Sequence, residues 1–228
     1  LKKNSNPTIL VSKHYKFYVE ESLKRNNLQA DLILEPEGRG TTAAIYLAAK
    51  FSSHKDQLLI MPSDHLMDDN SLFYQNISDA YKLKNPNEWV IFGIKPNFPS
   101  TGYGYVKLNT EDPDKNKLNK VLAFEEKPNL KTAKSFLKKG YFWNSGIFMG
   151  KASMIINSIK TYAPKVAKKC DIVIENCNVN SLNSEISFKK NLFLKIPSIS
   201  IDYSVMEKAN NVACQILECK WNDVGSWD

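Results

Sequence analysis

Apolar positions along this chain recur with two periods that take turns. Thr8-Ile9-Leu10-Val11, Asp31 to Leu34, Gln57 to Met61 and Trp89 to Ile94 are short continuous apolar runs, rich in residues that favour strands. Between them the spacing is helical. Tyr15 to Arg25 repeats Tyr15, Val19 and Leu23, while Thr41 to Phe51 sets Ala44, Leu47, Ala48 and Phe51 on one face. Ser71 to Leu83 does the same with Phe73, Ile77 and Ala80. Unbroken apolar strands alternating with amphipathic helices predict a parallel sheet covered on both faces.

Beyond residue 100 the pattern changes. Tyr103 to Leu108 and Lys120 to Glu126 read as strands joined by a polar excursion over 109–119. Leu130 to Lys139 reads as a helix that Gly140 terminates, and Phe142 to Met149 as a central strand. Pro164 opens a helix carrying Val166, Cys170 and Val173. The stretch 177–191 carries no clear signal. Asp202 is expected to cap a short helix through Ala209, and Cys214 to Leu217 to form the last strand. The expected fold class is α/β: a Rossmann-like, mixed but mainly parallel sheet with helices on both faces, in a single domain over 1–228.

Composition narrows the function. Hydrophobic residues make up 43%, yet no apolar run approaches the ~20 residues of a membrane span, so no membrane role is expected. The net charge of +7 comes from dispersed lysines, as around Lys131, Lys134, Lys138 and Lys139, with no Arg-rich block or aromatic-and-basic signature. Nucleic acid is therefore disfavoured, whereas small phosphorylated ligands remain suitable. Cys170, Cys177, Cys214 and Cys219 form no C-x-x-C pair, and with three histidines a zinc site is not expected. Unpaired thiols and no secretory signal imply a reducing, cytoplasmic compartment. The opening Leu1-Lys2-Lys3-Asn4 is expected of a processed chain or a fragment.

In open α/β sheets ligands gather beyond the carboxyl ends of the strands. After the second strand comes Glu35-Pro36-Glu37-Gly38-Arg39-Gly40-Thr41-Thr42, a glycine-rich loop with a cation ahead of a helix. Such a loop suits an anion or a nucleotide edge, and equally a plain turn. After the third strand, Pro62-Ser63-Asp64-His65 offers a hard oxygen ligand for Mg²⁺, or a cap for the next turn. Ser63, Asp64 and His65 are not a hydrolytic triad, because consecutive residues cannot adopt that geometry.

Glu125-Glu126-Lys127-Pro128 ends a strand with acids for sugar hydroxyls and a cation for a phosphate, or with a surface ion pair. Trp143-Asn144-Ser145-Gly146 puts small polar residues into a strand of large ones, which suggests a ligand's close approach or a bulge. Trp221-Asn222-Asp223-Val224-Gly225-Ser226-Trp227 supplies a second acid, Asp223, that could share a metal with Asp64, while its tryptophans could equally be core.

Together with Phe92-Gly93-Ile94, Thr101-Gly102-Tyr103-Gly104-Tyr105 and 200–208, these segments resemble, in order, the bacterial mannose-1-phosphate guanylyltransferases, or GDP-mannose pyrophosphorylases. The resemblance covers nearly the whole chain. It implies a nucleotide-diphospho-sugar transferase fold and the reaction of GTP with mannose 1-phosphate to give GDP-mannose and pyrophosphate, with Mg²⁺ as cofactor.

By the same resemblance Glu35, Gly38, Arg39, Ser63 and Asp64 would lie along the nucleotide. Asp64 and Asp223 would hold the metal, and Gly104, Glu126, Asn144 and Asp202 would border the sugar. Lys127 would take the sugar's phosphate, making Asp64, Lys127 and Asp223 the catalytic set. Gly40 departs from the family, which usually has Asn there. The family's first strand and glycine-rich triphosphate loop, and its C-terminal β-rich region, have no counterpart here. A fragment truncated at both ends, itself inactive, is therefore expected, with a homodimer allowed for. The alternatives are another sugar-1-phosphate nucleotidyltransferase, using dTTP, UTP or ATP with glucose 1-phosphate, and a binding module without catalysis.

Overall fold

The computed structural model describes residues 6–181 and 184–224. The chain begins β1 (Thr8–Ser12), α1 (Lys16–Arg25), β2 (Asp31–Glu35), α2 (Thr41–Phe51), β3 (Gln57–Ile60), β4 (His65–Met67), α3 (Asn70–Leu83) and β5 (Trp89–Ile94). It continues with β6 (Tyr105–Leu108), β7 (Asn119–Glu125), α4 (Leu130–Lys138), β8 (Phe142–Lys151), α5 (Ala152–Tyr162) and α6 (Pro164–Glu175). The last elements are β9 (Asn178–Asn180), β10 (Glu185–Ser187), α7 (Lys190–Phe193), β11 (Val212–Ile216) and β12 (Trp221–Asp223). They divide into two compact units, Leu1–Ser53 with Ile156–Ser204, and His54–Ile155 with Val205–Asp228.

In the first unit the sheet order is β1-β2-β10-β9. β2 runs parallel to both neighbours, which buries Leu32, Ile33 and Leu34. Helix α2 lacks charge until Lys50 and buries residues all round, including Thr42, Ile45, Tyr46, Leu47 and Ala49. It packs on α6, where the Tyr46 hydroxyl donates to Asp171 Oδ1 at 3.0 Å and Lys50 pairs with the same oxygen at 3.0 Å. The stretch that carried no clear signal contains β9 and β10. Each is three residues long, too short for an alternation to register.

The second unit holds a six-stranded sheet, β3-β8-β5-β11-β7-β6, in which β6 also meets β8, and a separate β4–β12 pair. β5 lies between β8 and β11 and is buried along its whole length. Phe73, Ile77 and Ala80 of α3 and Ala133 and Phe136 of α4 join its Val90, Phe92 and Ile94 in one core. Both helices start on a side-chain cap. Asp69 accepts from the Leu72 N–H and Asn129 from the Thr132 N–H, each at 2.9 Å.

The α/β class and the mixed sheet agree with the sequence reading, but parallel pairing does not predominate. Among the described residues β1–β2, β2–β10 and β5–β11 are parallel and the other strand pairings antiparallel. The cause is β8, which inserts antiparallel between β3 and β5. An unbroken apolar run shows that a strand is covered on both faces and says nothing of its neighbours' direction.

Helix α5 was also not foreseen. It follows β8 without a loop, and its opening N–H groups are met by carbonyls ahead of β3: Ala152 N–H donates to Asp56 O at 2.9 Å and Ser153 N–H to His54 O at 3.3 Å. Asp202 is not a helix cap. It lies inside a π-helical turn, Asp202–Met206, and the Ser200 hydroxyl takes the capping place by accepting from Tyr203 N–H at 3.4 Å. Among the described residues no helix is long and apolar enough to cross a membrane.

Candidate functional site

In the second unit, β4 and β12 pair antiparallel with Asp223 opposite His65, and the Val224 N–H extends the ladder to Asp64 O at 2.9 Å. This brings one potential ligand atom from each of Asp64, His65 and Asp223 within 4.8 Å of one another. The Asp64 carboxylate is half exposed, whereas the His65 side chain is only 8% exposed. Trp221 Nε1 donates to His65 Nδ1 at 3.1 Å, and His65 Nε2 lies 3.9 Å from Asp64 Oδ1. Burial pushes the imidazole below its ordinary pKa, against the opposing pull of the Asp64 and Asp223 charges. Two carboxylates this close fit a hard divalent cation such as Mg²⁺.

A second polar cluster forms where β6 begins, with Tyr105 opposite both Glu125 of β7 and Trp143 of β8. Gly104 O accepts from the Asn144 N–H at 2.8 Å. A Cβ on Gly104 would lie 2.6 Å from Glu126 Oε2 and 3.4 Å from Asn144 Cβ, so the missing side chain makes room for that carboxylate. The Glu126 side chain is 10% exposed, and its backbone N–H donates to Glu207 Oε1 at 3.0 Å.

Lys127 takes a left-handed φ of 49°, uncommon for a residue with a Cβ, and its N–H reaches Tyr103 O at 3.3 Å. Its side chain is 56% exposed, with Nζ 3.9 Å from Glu126 Oε1. The arrangement sets a buried acceptor beside a solvent-facing cation. Tyr103 links the two clusters, with ring centroids 5.2 Å from Trp221 and 5.1 Å from Trp143.

The first unit holds the loop from β2 to α2. Burial pushes the Glu35 carboxyl up to about 7, and its Oε1 is buried with no hydrogen-bond partner among the described residues. Around Gly38 the space is open. Arg39 Nε donates to Ile196 O at 2.7 Å. Gly40 has φ of 77°, and a Cβ there would lie 2.5 Å from Ile199 O, so no larger residue fits without backbone movement.

The start of α2 is not an open anion cradle. The Thr42 N–H donates to Ile199 O at 3.3 Å, Thr41 Oγ1 accepts from Ile201 N–H at 2.9 Å, and the Thr42 and Ser204 hydroxyls lie 2.7 Å apart. The same segment carries Asp202.

Asp64 and Asp223 are thus brought together, as are Gly104, Glu126 and Asn144, with Lys127 beside them and Ser63 exposed just before Asp64. Glu35, Gly38, Arg39 and Asp202 belong to the first unit. Gly225, Ser226 and Trp227 lie outside the described residues. Sequence reasoning did not assign roles to His65, Tyr103, Trp221 and Glu207, although each stands inside a segment that carried the family resemblance.

An α/β fold with Asp64 and Asp223 gathered at the β4–β12 pair fits a nucleotidyltransferase. The chain belongs to the nucleotidyl transferase family, which matches it over residues 1–228. It is 39% identical to the mannose-1-phosphate guanylyltransferase of Salmonella montevideo over 230 residues, covering 98% of this chain and 48% of that protein. It is 35% identical to one from Escherichia coli over 232 residues, covering 98% of this chain and 50% of that protein. The chain therefore spans about half the length of these curated relatives. Among solved structures it is similar to the mannose-6-phosphate isomerase of Helicobacter pylori, with a TM-score of 0.88 and 27% identity over 96% of this chain and 84% of that one.

Proposed function

We propose that this chain supplies the catalytic portion of a mannose-1-phosphate guanylyltransferase. The observation that carries the reading is the gathering of Asp64 and Asp223 beside the Gly104–Glu126–Asn144 cluster, in a chain whose relatives bear that name. A phosphate oxygen of mannose 1-phosphate attacks the α-phosphorus of GTP in line. The new bond joins that oxygen to phosphorus, and the α–β bridging bond breaks with its electron pair leaving on pyrophosphate. No protein nucleophile is needed.

Bringing two anions together is the main obstacle, so charge neutralisation and alignment carry the catalysis. Mg²⁺ held by Asp64 and Asp223 would supply charge neutralisation at the phosphates. Glu126 and Asn144 accept and donate to mannose hydroxyls, and the missing side chain at Gly104 leaves room for the Glu126 carboxylate that meets them. Lys127 meets the sugar's phosphate as a point charge. Glu35, Gly38 and Arg39 are the first unit's candidates for the guanosine.

The test is pyrophosphate release by residues 1–228 and by a version completed at its N-terminus with the family's glycine-rich loop, with each of GTP, ATP, UTP and dTTP against mannose 1-phosphate and glucose 1-phosphate. Turnover is expected with GTP and mannose 1-phosphate from the completed version, and none from residues 1–228 alone. Preference for UTP, dTTP or ATP with glucose 1-phosphate would assign it to a different sugar-nucleotide reaction.

A further inference from the structure

Asp64, His65 and Asp223 bring together three groups that commonly ligate metals. The hydrogen bonding of the imidazole decides which of them can do so. An indole Nε1–H only donates, and that of Trp221 lies 3.1 Å from His65 Nδ1. Nδ1 must therefore accept, which leaves the ring's proton on Nε2. A doubly protonated ring would set two N–H groups against each other. Nε2 lies 3.9 Å from Asp64 Oδ1, beyond direct hydrogen-bond length, and a protonated ring nitrogen has no lone pair to give a cation.

The ring is also held in place. Its side chain is 8% exposed, and Trp221 packs edge-on with centroids 5.1 Å apart. On β8, Gly146 has φ of 72°, and a Cβ there would touch both His65 Cε1 and Pro62 Cγ at 3.4 Å. The β4–β12 ladder sets Trp221 and Asp223 at fixed positions against Met67 and His65.

We propose that His65 is a positioning residue and not a metal ligand: Trp221 locks it as the Nε2–H tautomer, and the partial positive charge of that N–H, 3.9 Å from Oδ1, favours the Asp64 carboxylate electrostatically. The site then offers a cation oxygen ligands only. It favours Mg²⁺ or Mn²⁺ and gives Zn²⁺ no nitrogen. The inference rests on Asp64 and Asp223 being the cation-binding pair proposed above.

The direct test needs no substitution. Nitrogen-15 NMR of the histidine rings in the full chain without metal is expected to show His65 with Nδ1 unprotonated and Nε2 protonated. Adding Mg²⁺ should leave the Nε2 proton in place. A ring protonated on Nδ1, or loss of the Nε2 proton as Mg²⁺ saturates, overturns the proposal.

Calorimetry on variants gives a second reading. Substituting an outer partner of a ligand typically costs ~10–100-fold in metal affinity, so His65→Leu should weaken Mg²⁺ binding about tenfold. His65→Gln, which keeps an N–H donor, should stay within about threefold. Trp221→Phe keeps the aromatic packing and frees Nδ1, and should raise the Zn²⁺-to-Mg²⁺ affinity ratio by about tenfold or more. Equal losses in both His65 variants, or an unchanged ratio in Trp221→Phe, overturn it. Failure of the underlying reading would be distinct: Asp64→Asn leaving Mg²⁺ affinity unchanged removes the cation site and the inference with it, whereas an Nδ1–H ring removes the inference alone.

Discussion

The two candidate regions of this chain are built in different ways. In the loop from Glu35 to Gly40, backbone and space do the shaping: open room at Gly38, a glycine that its surroundings allow no side chain at position 40, and a carboxyl whose Oε1 lacks a partner among the described residues. Around Asp64, side chains do it, with indole on imidazole, imidazole facing carboxylate, and a carboxylate filling the room Gly104 leaves. A small hard ion needs several groups aimed at one point. A nucleoside needs a shaped surface, and one or two buried polar atoms suffice to orient it.

The sharpest way to break this contrast is to remove one acid. Asp64→Asn or Asp223→Asn is expected to lower turnover of the N-terminally completed enzyme by about 100-fold or more, since a bound metal supplies several kcal/mol of charge stabilisation. Pyrophosphate release with titrated Mg²⁺ measures it, and a loss under tenfold in both variants would place the ion elsewhere. Removing divalent ions with a chelator should abolish the activity, and adding Mg²⁺ back should restore it.

Glu35 should show itself in stability rather than in rate. Its folded pKa is raised to about 7 from an ordinary 4.5, so between these values the native state holds a proton that the unfolded chain has lost. Stability should therefore fall as pH rises from about 4.5 to 7 and then level off, a change on the order of 3 kcal/mol from this one group. Glu35→Gln removes the dependence and should be the more stable protein at pH 8. Urea unfolding at a series of pH values measures this, and identical pH profiles would show that the carboxyl is not desolvated.

Two glycines sharpen the comparison further. At Gly40 an added Cβ meets the Ile199 backbone at 2.5 Å with φ of 77°, and backbone cannot move aside. Gly40→Ala should cost about 1–3 kcal/mol of stability. At Gly104 the added Cβ meets the end of the Glu126 side chain, which can swing away. Gly104→Ala should cost under about 1 kcal/mol in stability yet weaken sugar 1-phosphate use, because a displaced carboxylate loses a hydrogen bond of about 1.5 kcal/mol. Similar stability losses at both positions would erase the distinction. The smallest effect expected is at Lys127, whose side chain is more than half exposed. Lys127→Ala should raise the KM for mannose 1-phosphate about tenfold while leaving that for GTP within about twofold. Equal changes in both would make it a structural residue, held for its left-handed backbone.

Read by itself, the chain determined whatever depends on local periodicity and chemistry. The runs that became β1, β2, β3 and β5 and the faces of α2, α3 and α4 were legible, because burial imposes a spacing that survives without knowledge of the partner. That Asp64 follows an apolar strand, and that Glu126 and Lys127 end another, was legible for the same reason. Tertiary structure alone decided what depends on pairing between distant segments. The insertion of β8 between β3 and β5 made the sheet mostly antiparallel, and β10 joined β2 on three residues. The β4–β12 ladder set Asp223 opposite His65 and delivered the Trp221 indole to the imidazole. A short strand carries too few residues for a period, and the direction of its neighbour leaves no mark on its own sequence. Each of those contacts is a choice made between segments far apart in the chain, and only packing selects among them.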